Sequence, residues 1–170
     1  MTTERHAVNP FEDPALAIRY EQWYAGAGRE ADILEKALLG KLLCCFPDAH
    51  SVLEVGCGTG HFTRWMAERG LEAVGLDISG SMLDEARRLG GPKYLLGDAL
   101  SLPLVAQSYD VTALITTLEF LKDPARALAE AVRPAVNLDA LLAAGLVHRL
   151  ARDACVRRRA VVELHEKRRA

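Results

Sequence analysis

The sequence predicts an α/β domain: a three-layer, doubly wound, mostly parallel sheet preceded by N-terminal helices, with the C-terminal part of the sheet incomplete. Three observations carry this. Short, largely apolar runs over residues 52–55, 71–76, 93–96 and 111–116 alternate with helical stretches, the last without polar alternation, and such strands belong to a parallel sheet covered on both faces. The first run turns directly into Gly56, Gly58 and Gly60, and the second ends on an acid, Asp77. In a doubly wound sheet both features fall at the carboxyl ends of strands, where ligands bind.

The elements follow in order. Residues 1–14 mix charge, proline and asparagine without periodicity and read as a mobile entry segment. From residue 14 to about 46, Ile33, Leu34, Ala37, Leu38 and Leu42 recur at helical spacing, and Gly26 and Gly28 divide the stretch into two helices. A helix over 63–69 turns Trp65 and Met66 inward and ends at Gly70. A helix over 81–89 has Ser79 or Ser81 as its N-cap and Gly90–Gly91 as its stop. Asp123–Pro124 opens a helix to Val132, with proline at the first position, where its missing N–H is not needed. Beyond Pro134, residues 138–150 are apolar enough for a helix, while 155–170 alternate arginine clusters with an apolar run and fit either a strand or a helix. The organisation is thus an N-terminal helical segment (1–46), a ligand-binding core (47–134) and an atypical basic segment (135–170).

Composition narrows the class. The 170 residues, 50% hydrophobic and 26% charged with a formal net charge of -2, suit one soluble domain. No apolar stretch approaches the roughly 20 residues needed to cross a bilayer, and the first ten residues lack a signal-peptide core. The expected location is cytoplasmic, without a membrane partner. Cys44, Cys45, Cys57 and Cys155 have neither zinc-ligand spacing nor the pattern of a disulfide framework, so no metal is expected. From Leu146 onward eight Arg or Lys face three acids, a balance of +5, which leaves -7 on residues 1–145. An acidic body argues against nucleic acid held through phosphate contacts.

The glycine loop is the most informative stretch. A dinucleotide fingerprint places glycines at positions one, three and six, yet the sixth position is His61 counted from Gly56 and Thr63 counted from Gly58. No lysine follows the glycines, so a Walker-type phosphate loop is excluded as well. What remains is an acid, Glu54, before three glycines, which repels a pyrophosphate and suits a ligand carrying positive charge. Asp77, 23 residues beyond Glu54, stands where a carboxylate accepts ribose hydroxyls. Ile78 beside it can cover a purine, and Asp98 after the third strand can accept from an exocyclic amine.

In order, residues 52–60, Val74-Gly75-Leu76-Asp77-Ile78-Ser79, Gly97-Asp98-Ala99-Leu100-Ser101-Leu102-Pro103, and Tyr109-Asp110-Val111 through Leu118-Glu119-Phe120 resemble the successive motifs of class I S-adenosylmethionine-dependent methyltransferases. Within these the similarity is to the UbiE-like, type 11 group, and it spans about residues 20–133. The resemblance implies a Rossmann-like fold, S-adenosyl-L-methionine as cofactor and a small-molecule methyl acceptor. It implies that Gly56, Gly58 and Gly60 pass under the cofactor's amino acid moiety near Glu54, and that Asp77 holds the ribose. It further implies that Ile78 and Met82 line the adenine, Asp98 and Ala99 bind its edge, Thr116 and Thr117 lie by the sulfonium, and Tyr20 and Tyr24 form a lid.

Other readings stand beside these. Tyr20, Trp23 and Tyr24 at helical spacing also fit core packing. Cys57, between two glycines and without an assigned histidine, reads as a small filler beneath the loop. Glu119 and His61 are the candidates for a general base, although Glu119 also fits a solvated loop and His61 a surface. A cofactor-binding protein without turnover is the alternative function, because the 37 residues after Arg133 leave little room to complete the family's sheet and the end looks truncated.

Overall fold

The computed structural model describes residues 9–136 and 141–144. Helices α1 (Pro14–Ala25) and α2 (Arg29–Leu43) precede strand β1 (Ser51–Val55). Then come α3 (His61–Ala67), β2 (Glu72–Asp77), α4 (Gly80–Leu89), β3 (Lys93–Leu96), β4 (Val111–Ile115), α5 (Pro124–Val132) and β5 (Leu141–Ala144). The strands form one sheet in the order β3-β2-β1-β4-β5, and every neighbouring pair is parallel. Chain order therefore reverses beside β1. A crevice opens at such a reversal, outside the carboxyl ends of β1 and β4.

Strand alternation assigns the two faces. Val52 of β1 and Val111, Ala113 and Ile115 of β4 pack with Phe62, Trp65 and Met66 of α3 and with Tyr24 and Leu39 of the N-terminal helices. Leu53, Val55, Leu76 and Leu114 face the opposite layer, with Ala127 and Ala131 of α5. Small alanines on α5 bring that helix close to the sheet, which is why β4 is buried along its whole length. At the start of the sheet, one oxygen of Asp110 accepts from the backbone N–H groups of His50 and Ser51 and from the Ser51 hydroxyl, each at 2.8–2.9 Å. These bonds fix the β1–β4 register. They also hold the Asp110 carboxyl below its ordinary value.

Several helix ends are capped, and Ser79 and Gly90 cap α4 as the sequence predicts. Asp13, Ser79 and Asp123 accept from backbone N–H groups two or three residues ahead, and Gly90 ends α4 with a positive φ. Two expectations are corrected. The described part of the entry segment is not loose: Pro10–Glu12 form a 3-10 turn capped by Asn9, and the hydroxyls of Ser79 and Ser81 donate to the Phe11 and Glu12 carbonyls. Within residues 138–150, Leu141–Ala144 form a strand rather than a helix, pairing with Thr112–Ile115. The sheet thereby continues past β4. The basic segment 145–170 and residues 1–8 lie outside the described residues. Among the described residues no helix is long and apolar enough to cross a membrane.

Ser79 serves two elements, capping α4 through Met82 N–H and tying the N-terminal turn through the Phe11 carbonyl. Ser79→Ala is expected to lower stability by about 1 kcal/mol in urea unfolding. It is also expected to speed proteolysis ahead of α1.

Candidate functional site

The loop after β1 is shaped by what its glycines touch. A Cβ on Gly56 would lie 2.3 Å from Thr117 Cγ2, and one on Gly60 would lie 2.5 Å from the Tyr94 hydroxyl. These two glycines make room for neighbouring side chains. Gly58 differs: a Cβ there would meet only the Tyr20 ring, at 3.8 Å, while its φ of +53° favours glycine. Its bare face opens on the crevice. Cys57 between them is buried, its Sγ 2.7 Å from where a Cβ of Gly75 would stand, and burial pushes the thiol up. It fills space, as expected.

Asp77 closes the far side of the loop. One carboxylate oxygen accepts from Gly58 N–H at 2.8 Å and the other from Ser79 N–H at 2.9 Å. Burial nevertheless pushes this carboxyl up against those bonds, with Glu12 adding like charge. Ile78 follows with 55% of its surface exposed, a large apolar side chain left bare, whereas Met82 is buried in α4. Asp98 is exposed and accepts from Leu100 N–H at 2.8 Å, which holds the turn after β3; Ala99 is buried.

Glu54 lies deeper than its sequence position suggests. It is 1% exposed, accepts from the Thr63 hydroxyl, and burial followed by the nearby Asp77 charge raises its carboxyl to about 8 despite the Thr63 bond. At the end of β4, Thr116 takes a φ of +51°, a strained conformation for a β-branched residue. The next hydroxyl, on Thr117, donates into a cluster of carbonyls from Val55, Gly56 and Ile115 at 3.0–3.3 Å. That hydroxyl staples the two strand ends across the crevice.

The two candidate bases part company. Glu119 sits exposed in a 3-10 turn, Leu118–Phe120, directly after Thr117. His61 opens α3 with both ring nitrogens engaged: Nε2 lies 2.7 Å from Asp32 and Nδ1 3.4 Å from Glu21. Its ring also stacks on Tyr24, with centroids 3.6 Å apart and planes 2° from parallel. A general base needs a free nitrogen, and this arrangement leaves His61 none. Tyr20 and Tyr24 meet edge to face at 5.8 Å, with Tyr20 over Gly58, and burial pushes both phenols up. Tyr24 thus belongs to the core and Tyr20 to the crevice wall.

Sequence reasoning missed Glu21, Asp32 and Arg64, which surround His61, and the Phe11–Phe120 edge contact at 5.4 Å. The spacing of His61 and Arg64, nearly one turn apart at the start of α3, was the available signal. The partners of these two side chains lie 29 to 43 residues away.

Fold and crevice together define a doubly wound domain with a bare glycine cradle at its switch point. Residues 53–135 match the model of the methyltransferase domain. A malonyl-[acyl-carrier protein] O-methyltransferase of Serratia marcescens is 37% identical over 131 residues, which is 74% of this chain and 50% of that protein. A demethylmenaquinone methyltransferase of Renibacterium salmoninarum is 37% identical over 83 residues, 48% of this chain and 35% of that one. Among solved structures, a possible histamine N-methyltransferase from Thermotoga maritima is 33% identical with a TM-score of 0.60, covering 72% of this chain and 54% of that chain. An amino pentose methyltransferase from Micromonospora echinaspora, solved with S-adenosylmethionine bound, is 29% identical with a TM-score of 0.61 over 68% and 51%. Through this core the chain belongs to the S-adenosylmethionine-dependent methyltransferases. It spans about half the length, or less, of these curated relatives.

Two outcomes follow from the geometry. Gly56→Ala and Gly60→Ala are expected to destabilise by about 2 kcal/mol or more, since strain and overlap add, whereas Gly58→Ala loses only about 1 kcal/mol from its φ. Urea midpoints of the three variants give the ranking. For Glu54, a carboxyl raised by folding contributes stability that is full below its ordinary value of 4.5 and lost as pH rises through about 8. Glu54→Gln removes that dependence. Its midpoint should therefore gain on that of the unaltered protein between pH 5 and pH 8.

Proposed function

We propose that the crevice binds S-adenosylmethionine and that the chain transfers its methyl group to a nucleophilic acceptor. The observation that carries this reading is the bare Gly58 face between Asp77 and Tyr20, a cradle that any side chain on Gly58 would fill. The residues present fit the cofactor. Asp77, pre-aimed by two backbone N–H groups, keeps lone pairs for ribose hydroxyls. Ile78 and Met82 supply apolar surface for the purine, and Asp98 and Ala99 lie at its edge. Gly56, Gly58 and Gly60 carry the amino acid end above Glu54, whose burial makes it a strong local attraction for positive charge once ionised. Thr116 and Thr117 border the reacting end, and Tyr20 excludes water above it, backed by Tyr24.

When bound, the cofactor supplies a methyl group on a positively charged sulfur, activated for in-line displacement. The chain's own task is alignment and dehydration, which needs no triad. Glu119 is the carboxylate we assign to accept a proton from an acceptor that carries one. For the acceptor we propose malonyl-[acyl-carrier protein] as the first to test, because relatives of that name from Serratia marcescens and Salmonella typhimurium are 37% and 35% identical. A free small molecule is the other class. The pairing of β5 with β4 supports turnover over the reading of a binder without turnover, because it supplies a fifth strand.

Asp77→Asn is expected to weaken S-adenosylmethionine binding at least tenfold in calorimetry while the far-ultraviolet circular dichroism stays that of the unaltered protein. Equal affinity in the two proteins would sink the site. Release of S-adenosylhomocysteine on adding malonyl-[acyl-carrier protein], and not on adding the free carrier, identifies the acceptor.

A further inference from the structure

Helix α1 meets the glycine loop along one side, through Tyr20, Glu21 and Tyr24. The Tyr20 ring is held by edge contacts to Phe11 at 6.4 Å and Tyr24 at 5.8 Å. Its neighbour Glu21 is bound far more firmly. One oxygen of that carboxylate accepts from Arg64 Nη2 at 2.6 Å and lies 3.4 Å from His61 Nδ1, and the other accepts from the Thr59 hydroxyl at 2.5 Å. Arg64 also donates through Nη1 to the Thr59 carbonyl at 2.6 Å. His61 reaches on to Asp32 of α2, which Lys36 pairs at 2.9 Å, and stacks on Tyr24. Four elements, namely α1, α2, α3 and the glycine loop itself, are joined at this point.

We infer that Glu21, His61, Arg64 and Asp32 form a latch that holds Tyr20 over Gly58 and so sets how firmly the cofactor is retained. The inference rests on the cofactor reading above. These are positioning residues, since none of them needs to touch the ligand. The group is suited to the task because its side chains are only 14–21% exposed, where paired charges are screened less than on an open surface. Burial alone would raise the Glu21 carboxyl, yet the bonds from His61 and Thr59 and the Arg64 charge bring it to about 2. It stays ionised across the working range. Loosening the latch shifts α1, and Tyr20 moves with it because it is adjacent to Glu21 and one turn from Tyr24.

A double-mutant cycle on S-adenosylmethionine affinity tests this. Glu21→Gln, His61→Asn and Tyr20→Ala are each expected to weaken binding about tenfold by calorimetry. Because the latch acts through Tyr20, adding His61→Asn or Glu21→Gln to Tyr20→Ala should weaken binding no further. Additive losses overturn the latch, as does undiminished affinity in both latch variants. A merely structural cluster would lower the thermal midpoint without this coupling. If His61→Asn does not fold, the Glu21→Gln cycle decides, since the amide still accepts from Thr59. Absence of binding by the unaltered protein overturns the cofactor reading itself, and is told apart by that first titration.

Discussion

The Asp77 carboxylate is the fixed point of the site. By accepting from Gly58 on one oxygen and Ser79 on the other, it joins the loop after β1 to the start of α4 through two charge-assisted bonds. The loop can then turn with positive φ at three glycines without wandering, and Ser79 is placed to cap its helix and to catch the Phe11 carbonyl. Remove that carboxylate and both walls of the crevice lose their common anchor.

A second constraint is where negative charge is kept. Burial pushes both Glu54 and Asp77 up, with the Asp77 charge adding to the first and the Glu12 charge to the second. Glu21, by contrast, is pulled down to about 2 by the cations and hydroxyl around it. Glu21 is thereby spent on joining helix to loop, whereas a positive charge brought near Glu54 would favour its ionised form. The two sets sit on opposite sides of the loop, with Thr59 and Gly58 dividing them.

Much of this was legible in the sequence, and the reasons differ by element. Strands β1 to β4 were legible because largely apolar runs between helical stretches have few other solutions, and Lys93–Leu96 falls as expected. Leu141–Ala144 is a short apolar run inside a longer one, with no period to separate strand from helix. The turn at Pro10–Glu12 is not legible because its ties are hydroxyls 68 and 69 residues away. The loop glycines were located correctly, but only contacts show that Gly56 yields to Thr117 and Gly60 to Tyr94. His61 illustrates the limit most clearly: a histidine beside a ligand loop suggests proton transfer, and only tertiary structure brings Asp32 and Glu21 to its two nitrogens.

The central place of β1 has a consequence for how the chain comes together. Its partner β4 lies about 60 residues downstream, and the register between them is pinned by Asp110 reaching back to His50 and Ser51. During synthesis one edge of β1 therefore stays open until β4 has emerged. Closing that distance costs more loop entropy than the shorter β1–β2 connection, so the β1–β4 pairing is expected to follow it. Substitutions at Asp110 or Ser51 accordingly act on folding yield before they act on the finished site.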